Sequence, residues 1–171
     1  PISILTLFSL MKRLCLLTAL FAVALHAADK PAAIPGLKQD IEFAKAGDVL
    51  LTLDAFVPVG EGPFATCILV HGGGFTKGDK HSFITPLFEP LAKAGFTWFT
   101  INYRLAPEHR WPACAEDVAS AIRWVKAHAA EYKVDVNRIA IIGESAGGHL
   151  VSWLGVTGEG DTRVAAVVPF Y

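Results

Sequence analysis

The chain has 171 residues, 53% of them apolar and 18% charged, with a formal net charge of −1. That balance excludes a nucleic-acid binder, which needs a basic stripe against the phosphates, and an intrinsically disordered chain, which needs low hydrophobicity and high net charge. The length suits one domain.

Residues 1–28 read as an address rather than a fold element. Met11-Lys12-Arg13 gives a short basic start, Leu14 to Leu25 an apolar core, and Ala27 and Ala28 a small-residue exit. This is the pattern of a secretory signal peptide starting at Met11, with residues 1–10 as upstream read-through. The core is shorter than the ~20 residues of a spanning helix, so no stable membrane span is expected after cleavage. The expected location is secreted or periplasmic, with an N-terminal membrane anchor as the alternative. Arg13 stands two residues before Cys15, which argues against lipidation there.

Residues 29–48 form a Pro/Ala/Gly linker and a first edge strand, and residues 49–171 the body of the domain. Val49 to Val57 reads as a strand stopped by Pro58, and Thr66 to Val70 as a short buried strand. His81 to Ala94 is expected to be a helix, disturbed at Pro86 and Pro90 and stopped by Gly95. Phe96 to Tyr103 is the next strand. Val118, Ile122, Val125 and Ala129 share one face of a helix over Pro112 to Tyr132. Arg138 to Ile142 is a buried strand, a short helix starts at Ser145, and Val164 to Val168 gives another strand. Alternating strands and helices, with strands apolar on both faces, predict a mostly parallel α/β sheet. Outside the signal the remaining cysteines, Cys67 and Cys114, read as packed free thiols; export would also permit their pairing.

Two glycine-rich turns carry the chemistry. In Gly143-Glu144-Ser145-Ala146-Gly147, the flanking glycines allow a sharp strand-to-helix turn that holds a serine hydroxyl at the carboxyl edge of the sheet. Taken alone, the pentapeptide also fits a tight turn with Ser145 as a helix cap. His71-Gly72-Gly73-Gly74-Phe75 follows another buried strand at the same edge, and its bare N–H groups suit an oxyanion. The candidate donors are Gly73, Gly74 and Ala146, with Ser145 as nucleophile. His71, Gly72, Gly143, Glu144 and Gly147 support the two turns, and His71 reads as a loop organiser rather than the base. Neither loop spells a phosphate-binding motif, and no zinc-ligand spacing occurs. No metal or cofactor is expected.

With both loops in view, the chain resembles the hormone-sensitive-lipase-like branch of the α/β-hydrolase carboxylesterases. The matching residues are His71 to Phe75, Asn102 to His109, Trp111-Pro112-Ala113, Glu116-Asp117 and Gly143 to Gly148. Glu144 departs from the Asp more usual there, and Gly78-Asp79-Lys80 resembles small feruloyl- and acetyl-esterase relatives. The resemblance implies an α/β-hydrolase fold, with C-terminal strands missing, acting on a small-molecule ester through an acyl-enzyme on Ser145. It assigns Arg104, Glu108 and Asp117 to a structural network bracing the elbow. It also implies an acid and a base in the chain order Ser, Asp or Glu, then His. After Ser145 come only His149 and Asp161, in the reverse order, so the acid and base are expected beyond Tyr171 and this chain alone is expected to be inactive. A serine peptidase on the same fold and a non-catalytic binding relative remain as alternatives. The sequence leaves the oligomeric state open.

Overall fold

The computed structural model describes residues 34–171. The signal-peptide reading and Cys15 lie outside the described residues. Among the described residues no helix is long and apolar enough to cross a membrane.

Among the described residues six strands form one sheet: β1 (Lys38–Ala46), β2 (Val49–Phe56), β3 (Phe64–Val70), β4 (Thr97–Ile101), β5 (Val134–Glu144) and β6 (Ala166–Phe170), in the order β1-β2-β4-β3-β5-β6. The first two pairings, β1 with β2 and β2 with β4, are antiparallel; β4, β3, β5 and β6 run parallel. The expected mostly parallel α/β architecture is what forms. The β1–β2 hairpin closes in two residues, with Gly47 at φ +63, a conformation that a tight hairpin asks of its first turn residue.

Because side chains alternate along a strand, each central strand feeds two cores. Ile68 and Val70 of β3, with Phe99 and Ile101 of β4, pack on α2 (Ala113–Ala127) and α3 (Ala146–Thr157), where Val118, Ile122, Val125 and Leu150 are buried. Cys67, Leu69 and Trp98 point to the other face, against Ile84 and Phe88. Cys67 and Cys114 are both free and buried, one in each core, as the packed-thiol reading expects. Burial pushes the Cys67 thiol up to about 11, which keeps it protonated and inert.

Strands β4 and β6 shift by one or two residues from the expected Phe96–Tyr103 and Val164–Val168, and three boundaries move further. The helix expected from His81 begins only with a 3-10 turn, Thr85–Leu87, followed by α1 (Phe88–Lys93). Residues 79–84 are spent on a turn: Asp79 accepts from the Ser82 hydroxyl and the His81 amide, and Phe83 sits at φ +64. The helix expected to run to Tyr132 ends at Ala127. Turn bonds continue the chain from there, from the Tyr132 N–H to His128 O and from the Val134 N–H to Ala129 O. That frees Val134 to start β5, which is longer than the Arg138–Ile142 run suggested because its first residues pair with Phe64. Gly95, at φ +78, ends α1 as expected.

Trp98 stacks on Phe88, centroids 4.4 Å apart, and on Phe56 at 5.6 Å, and its indole N–H has no partner among the described residues. Trp98→Ala should therefore cost about 3–5 kcal/mol in urea unfolding. Trp98→Phe, which also removes the unpaired donor, should cost under ~1.5 kcal/mol. Equal losses in both variants would show that ring packing is not what Trp98 contributes.

Candidate active site

Strands β3 and β5 are neighbours, with Val70 opposite Gly143, so the turns that follow them emerge side by side at one sheet edge. The glycines of the second turn are set by contact. A Cβ on Gly143 would lie 2.2 Å from Gly147 O, and one on Gly147 would lie 2.1 Å from Val70 O. The start of α3 thus rests on the last carbonyl of β3, an approach only glycine permits.

Between them Ser145 adopts φ +50 and ψ −111, a left-handed conformation that costs a non-glycine residue of order 1–3 kcal/mol. The Ser145 amide donates to Phe170 O of β6 at 2.9 Å, which pins the elbow. Ser145 makes no side-chain cap on α3, so the helix-cap reading of the motif does not hold. Among the described residues its hydroxyl has no hydrogen-bond partner.

The first turn is shaped by three consecutive left-handed residues, Gly73 at φ +109, Gly74 at +63 and Phe75 at +64. Gly73 O accepts from the amides of Thr76 and Lys77, and a Cβ on Gly73 would strike Lys77 O at 2.0 Å. Gly72 has no room either, because the Glu144 carboxylate lies over it and a Cβ would come 1.8 Å from Oε2. Glu144 is therefore a wall between the two turns. Among the described residues, the N–H groups of Gly73, Gly74 and Ala146 donate to no protein acceptor. Ala146 is the first residue of α3, where the helix leaves its N–H groups free and adds a partial positive charge. Three open donors beside an unclaimed hydroxyl suit a developing oxyanion.

His71 is 1% exposed and stacks on Tyr103, ring centroids 4.3 Å apart. Its Nδ1 lies 2.7 Å from Gly72 O; a carbonyl only accepts, so Nδ1 carries the proton. Tyr103 donates to His71 O at 2.9 Å. Burial pushes the His71 pKa below its ordinary 6.5, against the opposing pull of the Gly72 carbonyl and Asp79. The imidazole is thus a neutral organiser of the loop.

The Arg104 side chain binds Asp117 through Nε at 3.0 Å and Nη2 at 2.7 Å, while the Arg104 amide donates to the same carboxylate at 2.8 Å. Glu116 adds a looser contact at 3.4 Å. This ties the segment after β4 to α2. Glu108, expected in the same network, is exposed and makes no hydrogen bond among the described residues, so Arg104 is paired by Asp117 and Glu116 alone there. Among the described residues the network makes no hydrogen bond or ion pair to residues 143–147; the glycine contacts brace the elbow.

His149 is exposed on α3, edge-on to Phe75 at 5.8 Å and to Trp111 at 6.3 Å, and Asp161 pairs with Arg123 at 3.0 Å. Among the described residues, neither side chain hydrogen-bonds to the Ser145 hydroxyl. Phe75, Trp111, Cys114 and His149 line a mainly apolar cleft of about 410 Å³ beside the oxyanion loop.

In comparison with known proteins, the family model BD-FAE matches residues 53–169. The chain belongs to the BD-FAE family. It is 45% identical over 112 residues to "Probable carboxylic ester hydrolase LipM" of Mycobacterium tuberculosis, covering 60% of this chain and 26% of that protein. It is 38% identical over 120 residues to "Esterase LipC" of the same organism, covering 64% and 30%. Among solved structures, Thermogutta terrifontis esterase 2 aligns with a TM-score of 0.67 at 28% identity, over 81% of this chain and 57% of that one. A bacterial heroin esterase aligns at 0.65 and 31%, over 77% and 43%. The chain thus spans between a quarter and a third of the curated relatives and about half of the solved ones. The α/β-hydrolase fold and the likeness to the hormone-sensitive-lipase-like carboxylesterases both hold.

Missed in the sequence was a buried ionic cluster at Asp54 and Lys80. Asp54, alone in the apolar β2, was its available signal, because a buried carboxylate requires a cation.

Burial of His71 makes the stability of the fold depend on pH. The unfolded chain binds its proton near pH 6.5 and the fold opposes it. This stabilisation is therefore complete above about pH 6.5 and is lost as pH falls below that value. Urea midpoints between pH 7.5 and 5 should fall, and His71→Gln should flatten that slope. Identical slopes would remove His71 as the source.

Proposed function

We propose that this protein is the nucleophile-bearing part of an exported carboxylic-ester hydrolase that works through an acyl-enzyme on Ser145. The observation that carries the reading is the strained Ser145, its hydroxyl free, beside the three open N–H groups of Gly73, Gly74 and Ala146. In this reading Ser145 Oγ attacks the ester carbonyl carbon as its proton passes to a base, and the carbonyl π pair moves onto oxygen. The three N–H groups hold that oxyanion. Each such donor is worth about 3 kcal/mol of transition-state stabilisation. Collapse breaks the bond to the alkoxy oxygen, which leaves with the proton, and water then repeats the sequence to free the acid and Ser145.

The base and the acid that orients it belong, in this proposal, to chain beyond Tyr171. The position of His149 and the Asp161–Arg123 pair support this, as does the fraction of each relative the chain spans. The cleft beside Phe75 takes an apolar arm of the ester. The Met11–Ala28 pattern supports export. The described residues assemble no triad, which favours a non-catalytic binding relative as the second reading.

The protein carrying its native continuation should hydrolyse short-chain aryl esters, and Ser145→Ala should abolish this, a loss of about 10⁴-fold or more. Equal activity in both would remove Ser145 from the mechanism and favour the binding reading. Residues 1–171 alone should turn over such esters little above background. Robust turnover by that piece would refute placing the base elsewhere.

A further inference from the structure

Gly78-Asp79-Lys80 stands outside the chemistry assigned so far, yet its three residues fasten the far end of the oxyanion loop. Gly78, at φ +99, lies under the His71 ring; a Cβ there would come 2.9 Å from Nδ1. Asp79 accepts from the His81 amide and the Ser82 hydroxyl, both at 2.9 Å, and so turns the chain back toward the sheet. Lys80 is then inserted among polar groups from three strands. Its ammonium pairs with Asp54 of β2 at 3.1 Å and with Asp40 of β1, and reaches Thr52 Oγ1 at 3.5 Å. Its backbone is held just as firmly. The Lys80 amide donates to Asn102 Oδ1 at 2.8 Å, and its carbonyl accepts from Thr100 Oγ1 at 2.5 Å.

The Lys80 side chain is 6% exposed and that of Asp54 1%. Around the Asp54 carboxylate stand His81 Nε2 at 2.6 Å, Gln39 Nε2 at 3.4 Å and the Asp40 amide at 2.9 Å. Burial works against the ammonium, but the hydrogen bonds and charges of Asp40 and Asp54 outweigh it and hold its pKa above the ordinary lysine value. Charges buried this way add little net stability compared with an apolar plug, but they fix one geometry. What they fix is the loop. From Gly73 to Lys80 the chain folds on itself, with Thr76 and Lys77 donating to Gly73 O, Phe75 O held by the Ala106 amide, and Lys80 as the closing anchor.

We infer that Lys80 is a positioning residue for the oxyanion hole: its ion pair with Asp54 and Asp40 sets the loop that presents the Gly73 and Gly74 N–H groups. The inference rests on the proposed ester hydrolysis only for its catalytic readout, and the loop geometry can be read independently. Lys80 lies on the β1–β2 side of the sheet and touches neither Ser145 nor the cleft beside Phe75 among the described residues.

The test uses the full chain with its native continuation, comparing parent, Lys80→Met, Lys80→Arg and the double replacement Lys80→Met with Asp54→Asn. The double variant leaves no lone buried charge and supplies folded protein if Lys80→Met alone does not. On short-chain aryl esters, kcat should fall about tenfold to a hundredfold with KM changed under about threefold. A trifluoromethyl ketone, which mimics the tetrahedral oxyanion, should lose affinity in parallel with kcat/KM. Lys80→Arg, which keeps the cation, should recover part of both. Independently, hydrogen exchange at the amides of Thr76, Lys77 and Ala106, which donate to Gly73 O and Phe75 O, should accelerate at least tenfold in the Met variants, while amides of β3 and β5 hold. Folded Met variants with parental kcat and parental exchange at these amides would overturn the inference. So would a loss of kcat that leaves ketone affinity intact. If the parent shows no Ser145-dependent hydrolysis, the functional reading fails, and unchanged loop exchange still decides against Lys80 on its own.

Discussion

The constraint on which the rest of the site depends is the seat of Gly147 on the carbonyl of Val70. No side chain fits there, since a Cβ would lie 2.1 Å from the oxygen. Because of it, the first turn of α3 presses directly onto the end of β3, and the two functional turns cannot separate. Gly143 repeats the arrangement one step back, against the Gly147 carbonyl. Packing of Leu150 and Val151 into the core then holds α3 down on the strands. The strain at Ser145 is sustained by this overdetermination: glycine contacts on both sides, and a hydrogen bond from its amide to Phe170 O.

Around that seat the loops are held by charge rather than by apolar packing. Arg104 and Asp117 tie the segment after β4 to α2, with the Asp117 side chain 3% exposed. Lys80 and Asp54 tie the end of the oxyanion loop to β2. The two pairs secure the loops leaving β3 and β4 from different elements. Removing one partner of either would strand a buried charge, which typically costs 3–5 kcal/mol, although replacing a whole pair by apolar groups can be neutral. The value of such pairs lies in direction. An apolar contact tolerates sliding, whereas a carboxylate held by a cation and an amide, as Asp117 is by both parts of Arg104, does not.

The fold was legible wherever a periodicity was unbroken. β2, β3 and the apolar face of α2 follow directly from their sequences, and the glycine-serine elbow names its own conformation. Residues 79–84 were not legible as a turn, because an Asp capping a turn and an Asp opening a helix look alike in one dimension. The early end of α2 was hidden for a similar reason: Ala129 continues the helical pattern, but it is Tyr132 that packs against Phe99. At the site, Ser145 and the three glycines could be read, since each answers to a local conformational demand. Asp40 and Asp54 could not be assigned partners. Their cation lies 40 and 26 residues further along the chain, and nothing local specifies that meeting.

The site is also uneven in what it contains, and the unevenness is geometric. An N–H donor set can be built entirely from a loop and a helix start, both fixed by the seat on β3. A base must instead reach the Ser145 hydroxyl from a side chain that approaches across it. His149 cannot, because a residue four positions along the same helix is displaced by one turn and here faces outward between Phe75 and Trp111. Asp161 is held by Arg123, whose helix α2 packs behind α3. In the proposed mechanism, oxyanion stabilisation and proton transfer are therefore delivered by different stretches of chain. The described residues preorganise the first, with the neutral His71 stacked on Tyr103 beneath the loop. A histidine supplied from elsewhere has only to meet a hydroxyl whose direction the backbone at φ +50 has already set.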